Sequence, residues 1–233
     1  MKTGLLKVVA LTLMLSMQIS CGRDDPAALP TELEISRQAP GPDVPLIRSK
    51  GDVFISDRFA MSIRKPRGWH AQTPDDMLVA RDRGADILAT GSKTARQAQE
   101  TANARTFHLV SFFQTPPGKP VPFNANLAVI VEDISHAPSI QSGSDYLRAL
   151  KSGLTKTALN YSFEPTPAKI TIDGKDFDRL VASLSPASDI EIRQEYASYV
   201  SGGFVICLIM TYMNDAQHED IEKAIRTMTL DWD

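Results

Sequence analysis

Residues 190–213 read IEIRQEYASYVSGGFVICLIMTYM, and this stretch decides the fold. Its first half, Ile190 to Ser201, alternates in part between apolar and polar side chains, the period of a strand with one face on a core. Its second half, Phe204 to Met213, is apolar on both faces, so it must be covered from both sides and belongs at the centre of a sheet. Gly202-Gly203 joins the two as neighbours.

Working outward, AKITIDGKDFDRLVASLS over 168–185 holds Asp173-Gly174 between two strand-like runs, the dipeptide suited to a type I′ hairpin because both turn residues need positive φ. TFHLVSFFQ and ANLAVIVED read as two more strands, separated by a loop with Pro116, Pro117, Pro120 and Pro122. Leu127 to Val131 is apolar at every position, which again requires cover on both faces. Ser142-Gly143-Ser144-Asp145 offers a helix cap, and Leu147, Leu150, Leu154 and Ala158 follow at helical spacing, predicting a helix over 144–158. Near the N-terminal side, Phe59, Met61 and Ile63 alternate with Ala60, Ser62 and Arg64 in a strand that Pro66 and Gly68 end.

Thr73-Pro74-Asp75-Asp76 predicts a following helix: a hydroxyl at the cap, proline at the first helical position, and carboxylates beside unpaired N–H groups. Gly84 and Gly91 are the points where that helix can break. At the other end Asn214 and Gln217 form a capping pair, Ile221, Ala224, Ile225 and Met228 form the inner face of a last helix, and MTLDW closes the chain in extended form. The order predicts an α/β protein, a three-layer α/β/α sandwich with a largely antiparallel central sheet.

The N-terminal residues carry an address. Lys2 and Lys7 flank an apolar run from Val8 to Met17, and the small residue Ser20 precedes Cys21, the layout of a secretory signal peptide. About ten apolar residues fall short of the ~20 that span a bilayer. Met17-Gln18-Ile19-Ser20-Cys21 resembles the lipobox of bacterial lipoproteins, in which the chain is cut before the cysteine and its thiol takes a diacylglyceryl group; Gln18 stands where that motif usually has leucine. Lipid chains contribute ~0.8 kcal/mol per buried methylene and hold a protein on a membrane without a spanning helix. Cys21 is therefore the expected lipidation site. Gly22 follows it, where an aspartate favours inner-membrane retention, so the expected location leans to the outer membrane, facing the periplasm. Pro26, Pro30, Pro40, Pro42 and Pro45 then mark an extended tether. The expected divisions are 1–20 signal, 21–50 tether and 51–233 a single globular domain.

Charge excludes one class of partner. The 233 residues hold 25 basic and 28 acidic side chains, a formal net charge of −3, so no strong field draws nucleic acid. Cys207 is the only other cysteine and lies in an apolar run, where a thiol behaves as a small hydrophobe.

Chemistry is sparse. His70, His108, His136 and His218 stand singly, without the spacing of metal ligands, although His136 lies near Glu132 and Asp133. There is no Gly-x-Ser-x-Gly, Gly91-Ser92-Lys93 lacks the glycine a phosphate loop requires, and Asp24-Asp25 and Asp75-Asp76 have solvated or capping roles. No catalytic residue, metal ligand or cofactor is expected. Two features remain: Arg58, Arg64, Lys65 and Arg67 gather beside Trp69, either to meet an anionic partner or lipid headgroups or, the preferred reading, as a charged strand edge with Trp69 plugging the core. Phe123, among prolines, either docks a protein or packs inward.

FAMSIRKPRGWH resembles the opening strand of the PsbP-like superfamily, which ends in Pro-x-Gly-Trp. NANLAVIVEDIS, DYLRALKSGL, KITIDGKDFDRL and QEYASYVSGGFVICLIMTYM resemble the later elements of that family in the same order, together over about residues 55 to 232. The resemblance implies binding or assembly support rather than shared catalysis, and fold by itself does not transmit function. The expectation is a non-enzymatic, lipid-anchored cell-envelope protein with a protein partner in the envelope and no nucleic-acid partner. The alternatives are a periplasmic carrier of a small molecule or metal ion and, behind it, an enzyme with a dispersed site.

Overall fold

The computed structural model describes residues 46–72, 105–116, 119, 121–155, 159–165, 168–187 and 190–232. The signal segment, Cys21 and the helix expected after Thr73 lie outside them. In chain order the elements are β1 (Arg48–Lys50), β2 (Val53–Ser56), β3 (Met61–Arg64), β4 (His70–Gln72), β5 (Thr106–Phe113), β6 (Asn126–Asp133), α1 (Gly143–Leu154), β7 (Tyr161–Phe163), β8 (Ile170–Ile172), β9 (Lys175–Ala187), β10 (Ile190–Ser201), β11 (Phe204–Tyr212), α2 (Asp215–Ile225) and β12 (Thr229–Leu230).

Two sheets result. The large one runs β4-β5-β6-β11-β10-β9-β7, with β8 paired to β9, and the small one runs β1-β2-β3-β12. Every described pairing is antiparallel. β11 sits between β6 and β10, the central place that its two apolar faces predict. Leu127, Val129 and Val131 on β6 join one core while Ala128 and Ile130 join another, so the continuous apolar run serves two layers at once.

The first core lies between the large sheet, the small sheet and α2, and includes Phe54, Met61, Ile63, Leu208 and Ile221. The second lies under α1, where Tyr146, Leu147, Leu150 and Leu154 meet Tyr196, Val205 and Cys207. The layers are thus α1, the large sheet, and an outer layer shared by the small sheet and α2. Among the described residues the sandwich holds, and its second outer layer combines the small sheet with α2. The strands that build it are two to four residues long, and apart from β3, whose alternation the sequence shows, they are too short to be read from a local pattern.

The fold also opens earlier than residue 51. Ile47 is buried in the first core and β1 pairs with β2 through Arg48, Ser49 and Lys50, so these residues, expected in the tether, belong to the domain. α1 stops at Leu154, with Thr155 as its C-cap and the Thr155 hydroxyl donating to Ser152 O at 2.9 Å. The weak helix formers Gly153 and Thr155 stand at this end, and residues 156–158 of the expected helix lie outside the described residues. Both expected hairpins form: Asp173 and Gly174 have φ of 48° and 75°, Gly202 and Gly203 of 56° and 79°.

Caps fall where expected. Ser142 Oγ accepts from Asp145 N at the start of α1. Asn214 Oδ1 accepts from Gln217 N at 3.0 Å while Gln217 Oε1 accepts from Met213 N, one residue before the cap, at 2.9 Å. The C-terminus is pinned to the first strands: Trp232 Nε1 donates to Phe59 O at 2.7 Å, and Asp231 N to Ala60 O at 2.9 Å.

Candidate functional site

Among the described residues, a meeting of ionisable groups is centred on Glu195. Along β10 the pleat sends Tyr196 toward the α1 core and Ala197 toward the α2 core, so Glu195 faces α2. There it is 4 % exposed and has donors from three other elements. Arg179 of β9 donates through Nη2, Tyr212 of β11 through its hydroxyl at 2.5 Å, and His218 of α2 approaches through Nε2 at 3.2 Å. The His218 ring stacks on Tyr212 with centroids 4.4 Å apart. Burial pushes the Glu195 carboxyl up, but the hydrogen bonds from His218, Tyr212 and Arg179 outweigh it and hold it at about 2. In return, the bond to Glu195 raises His218, against the opposing effect of burial. The result is an ionised carboxylate with its acceptor sites filled, tying α2 to the sheet.

A second carboxylate sits on the opposite face. Glu132 of β6 is 5 % exposed and accepts from the Tyr146 hydroxyl of α1 at 3.1 Å. Burial pushes its carboxyl up to about 7, only partly offset by Tyr146 and the nearby Arg105. Its proton therefore exchanges in the neutral range. A neutral network lies on the same face: Gln194 Oε1 accepts from both Tyr161 and Tyr196 at 3.0 Å. The Cys207 thiol, 1 % exposed, is pushed far up by burial and then by Glu132, which keeps it protonated and unreactive.

The residues singled out from the sequence fall apart in space. His70 and His136 are exposed, His108 is buried within β5, and only His218 joins a cluster. Glu132 turns into the core while Asp133 accepts from Ser135 N at 2.9 Å, so the two carboxylates beside His136 do not converge. Among the described residues no group of three His, Cys, Asp or Glu side chains is placed to hold a metal ion. Trp69 is 4 % exposed in the first core, as the preferred reading has it, and Phe123 packs against that core. Arg58 lies over the Phe107 ring at 4.4 Å, and Lys65 pairs with Asp52 at 3.2 Å and donates to Trp69 O at 2.8 Å. No helix among the described residues is long and apolar enough to cross a membrane.

Sequence reading missed the Glu195 cluster. The available signal was a charged residue within a strand whose neighbours Gln194 to Ser198 are all buried. Its partners could not be found that way, because they come from separate elements.

No family model matches the chain, and no curated protein matches it. Among solved structures it is similar to LpqN of Mycobacterium tuberculosis, described as involved in cell envelope biogenesis, at 13% identity over 73% of this chain and 83% of that one, with a TM-score of 0.42. It is also similar to the cyanobacterial PsbP of Synechocystis sp. PCC 6803, at 10% identity over 82% of this chain and 95% of that one, with a TM-score of 0.45. The PsbP-like resemblance has its counterpart in the second of these, and it concerns the fold alone.

Proposed function

We propose that this protein is a non-enzymatic, lipid-anchored protein of the bacterial cell envelope that binds another envelope component or assists its assembly. The observation that carries the reading is the N-terminal run from Lys2 to Cys21, a short apolar segment ending in a lipobox-like cysteine, followed by the proline-rich stretch that begins at Pro26. Support also comes from the way the ionisable groups are used. Glu195 has its acceptors filled by Arg179, Tyr212 and His218, and acts as an internal tie. The partner is a protein, and the membrane is held through Cys21, on the periplasmic side and, given Gly22, at the outer membrane.

The test is crosslinking in cells with the tagged, lipid-anchored chain, followed by mass spectrometry against an unrelated lipoprotein at matched abundance. One dominant enriched protein is the expected result; enrichment of none would overturn the assembly reading. For the anchor, the Cys21→Ser chain is expected in the soluble or unprocessed fraction, and a variant still carrying lipid and still in the membrane would refute it.

A further inference from the structure

The outer face of the small sheet has a composition of its own. Register places Lys50, Val53 and Arg64 side by side across β1, β2 and β3, and Arg48, Ile55, Ser62 and Thr229 in the next row. Positions two apart on a strand share a face, so both rows look outward. The alternate residues Phe54, Met61, Ile63 and Leu230 point into the first core. On the outward face Arg48, Lys50, Arg64 and Thr229 are exposed, with Val53, Ile55 and Ser62 half-buried between them. Arg67 adds an exposed cation in the turn after β3.

Arg48 is held by Asp57, with Nε donating at 2.6 Å, and Lys65 by Asp52. Lys50, Arg64 and Arg67 make no ion pair among the described residues. Residues 46–72 contain six basic and two acidic side chains, in a chain whose net charge is −3, so positive charge is concentrated here and the remainder is acidic. β1 is also the first strand after the stretch expected to tether the domain to Cys21.

We propose that this face of the small sheet rests against the anionic headgroups of the membrane that the N-terminal anchor holds. The inference builds on the lipid-anchor reading and adds an orientation to it. A few cations bind a bilayer weakly on their own. Beside a bilayer to which the chain is already tied, the second contact is intramolecular and weak attraction suffices. Val53 and Ile55 give the face an apolar centre, and the acidic remainder of the chain is repelled outward, toward the periplasm.

The test removes the anchor so that the two readings fail separately. The chain from residue 21 with Cys21→Ser, which keeps every core residue between 46 and 232, is sedimented with vesicles of phosphatidylglycerol and phosphatidylethanolamine and with neutral phosphatidylcholine vesicles. Binding is expected to the anionic vesicles only, to weaken with salt over the Debye range, and to fall about tenfold or more in Lys50→Glu/Arg64→Glu. Arg148→Glu/Lys223→Glu, which changes net charge equally at exposed positions on α1 and α2, is expected to retain it. No binding to anionic vesicles, equal binding to neutral ones, or equal loss in both variants would overturn the proposal. Whether Cys21 carries lipid is read independently, by labelling with a radioactive fatty acid in cells.

Discussion

At position 132 a buried carboxyl group stands between Val131 and Asp133 in β6, with Tyr146 as its hydrogen-bond donor. Burial raises it from an ordinary value of 4.5 to about 7. A folded value above the unfolded one means that the folded state binds the extra proton, so stability is full at low pH and is lost as pH rises from about 4.5 through about 7. Glu132→Gln keeps the shape and cannot ionise. It is expected to match the parent protein at pH 4 and to exceed it at pH 8 by ~1–3 kcal/mol in urea denaturation; equal midpoints at pH 8 would show that Glu132 ionises without cost.

His218 gives a second handle of the same sign on the other face. It meets Glu195 and, at 3.9 Å, Glu222, with Arg179 opposing and Tyr212 stacked beneath it. Its folded value is raised, so its contribution is present below the unfolded value of 6.5 and is lost as pH rises through the folded one. His218→Phe retains a ring for Tyr212 and is expected to cost about 1–2 kcal/mol at pH 5.5, with the difference from the parent narrowing by pH 9. A pH-independent loss would assign His218 to packing alone.

Among the elements, α1 depends on how closely its first turn approaches the sheet. Ser198 Oγ donates to Gly143 O at 3.0 Å, and Ser144 N donates to Asp178 Oδ2 at 3.0 Å. A Cβ on Gly143 would lie 2.4 Å from Ser198 O, a backbone atom that cannot swing away. Gly143→Ala is therefore expected to lift the helix start and destabilise by about 1–3 kcal/mol, measured by denaturant titration. Ser142→Ala, which removes the cap alone, is expected to cost about 1 kcal/mol. A Gly143→Ala protein as stable as the parent would show that α1 shifts freely over the sheet.

The same scale shows what was legible in the sequence. β5, β6, β10 and β11 run eight residues or more and carry their burial pattern openly. Asp173-Gly174, Ser142 and Asn214 each mark an end through local chemistry that needs no partner. β1, β2, β4 and β7 are three or four residues long and exist because another strand supplies the ladder, which no local pattern reports. The site divides in the same way. Glu195 is visible as a charge out of place, whereas its ties to Arg179 and Tyr212 span 16 and 17 residues and follow from register.

For the molecule as a whole, the two ends of the described chain close one layer. β12 pairs with β3, with Thr229 opposite Ser62 and Leu230 opposite Met61. Leu230 N also donates to Asp173 Oδ2 at 2.8 Å, which ties the same residue to the β8–β9 hairpin. Trp232 is 4 % exposed and bonded to Phe59 O. Trp232→Ala is expected to cost about 3–5 kcal/mol, in the range for emptying a buried aromatic site, and to lower the midpoint of a thermal melt by several degrees; a shift of a degree or less would show that the small sheet closes without it.

That closure also sets an order in time. A chain made from its N-terminus presents β2 and β3 early, yet Thr229 of their partner strand β12 follows Ser62 by 167 residues, and Trp232, whose indole bonds Phe59 O, follows Phe59 by 173. The small sheet therefore stays unfinished until β12 is available. Until then its first strands have nothing complete to lock onto.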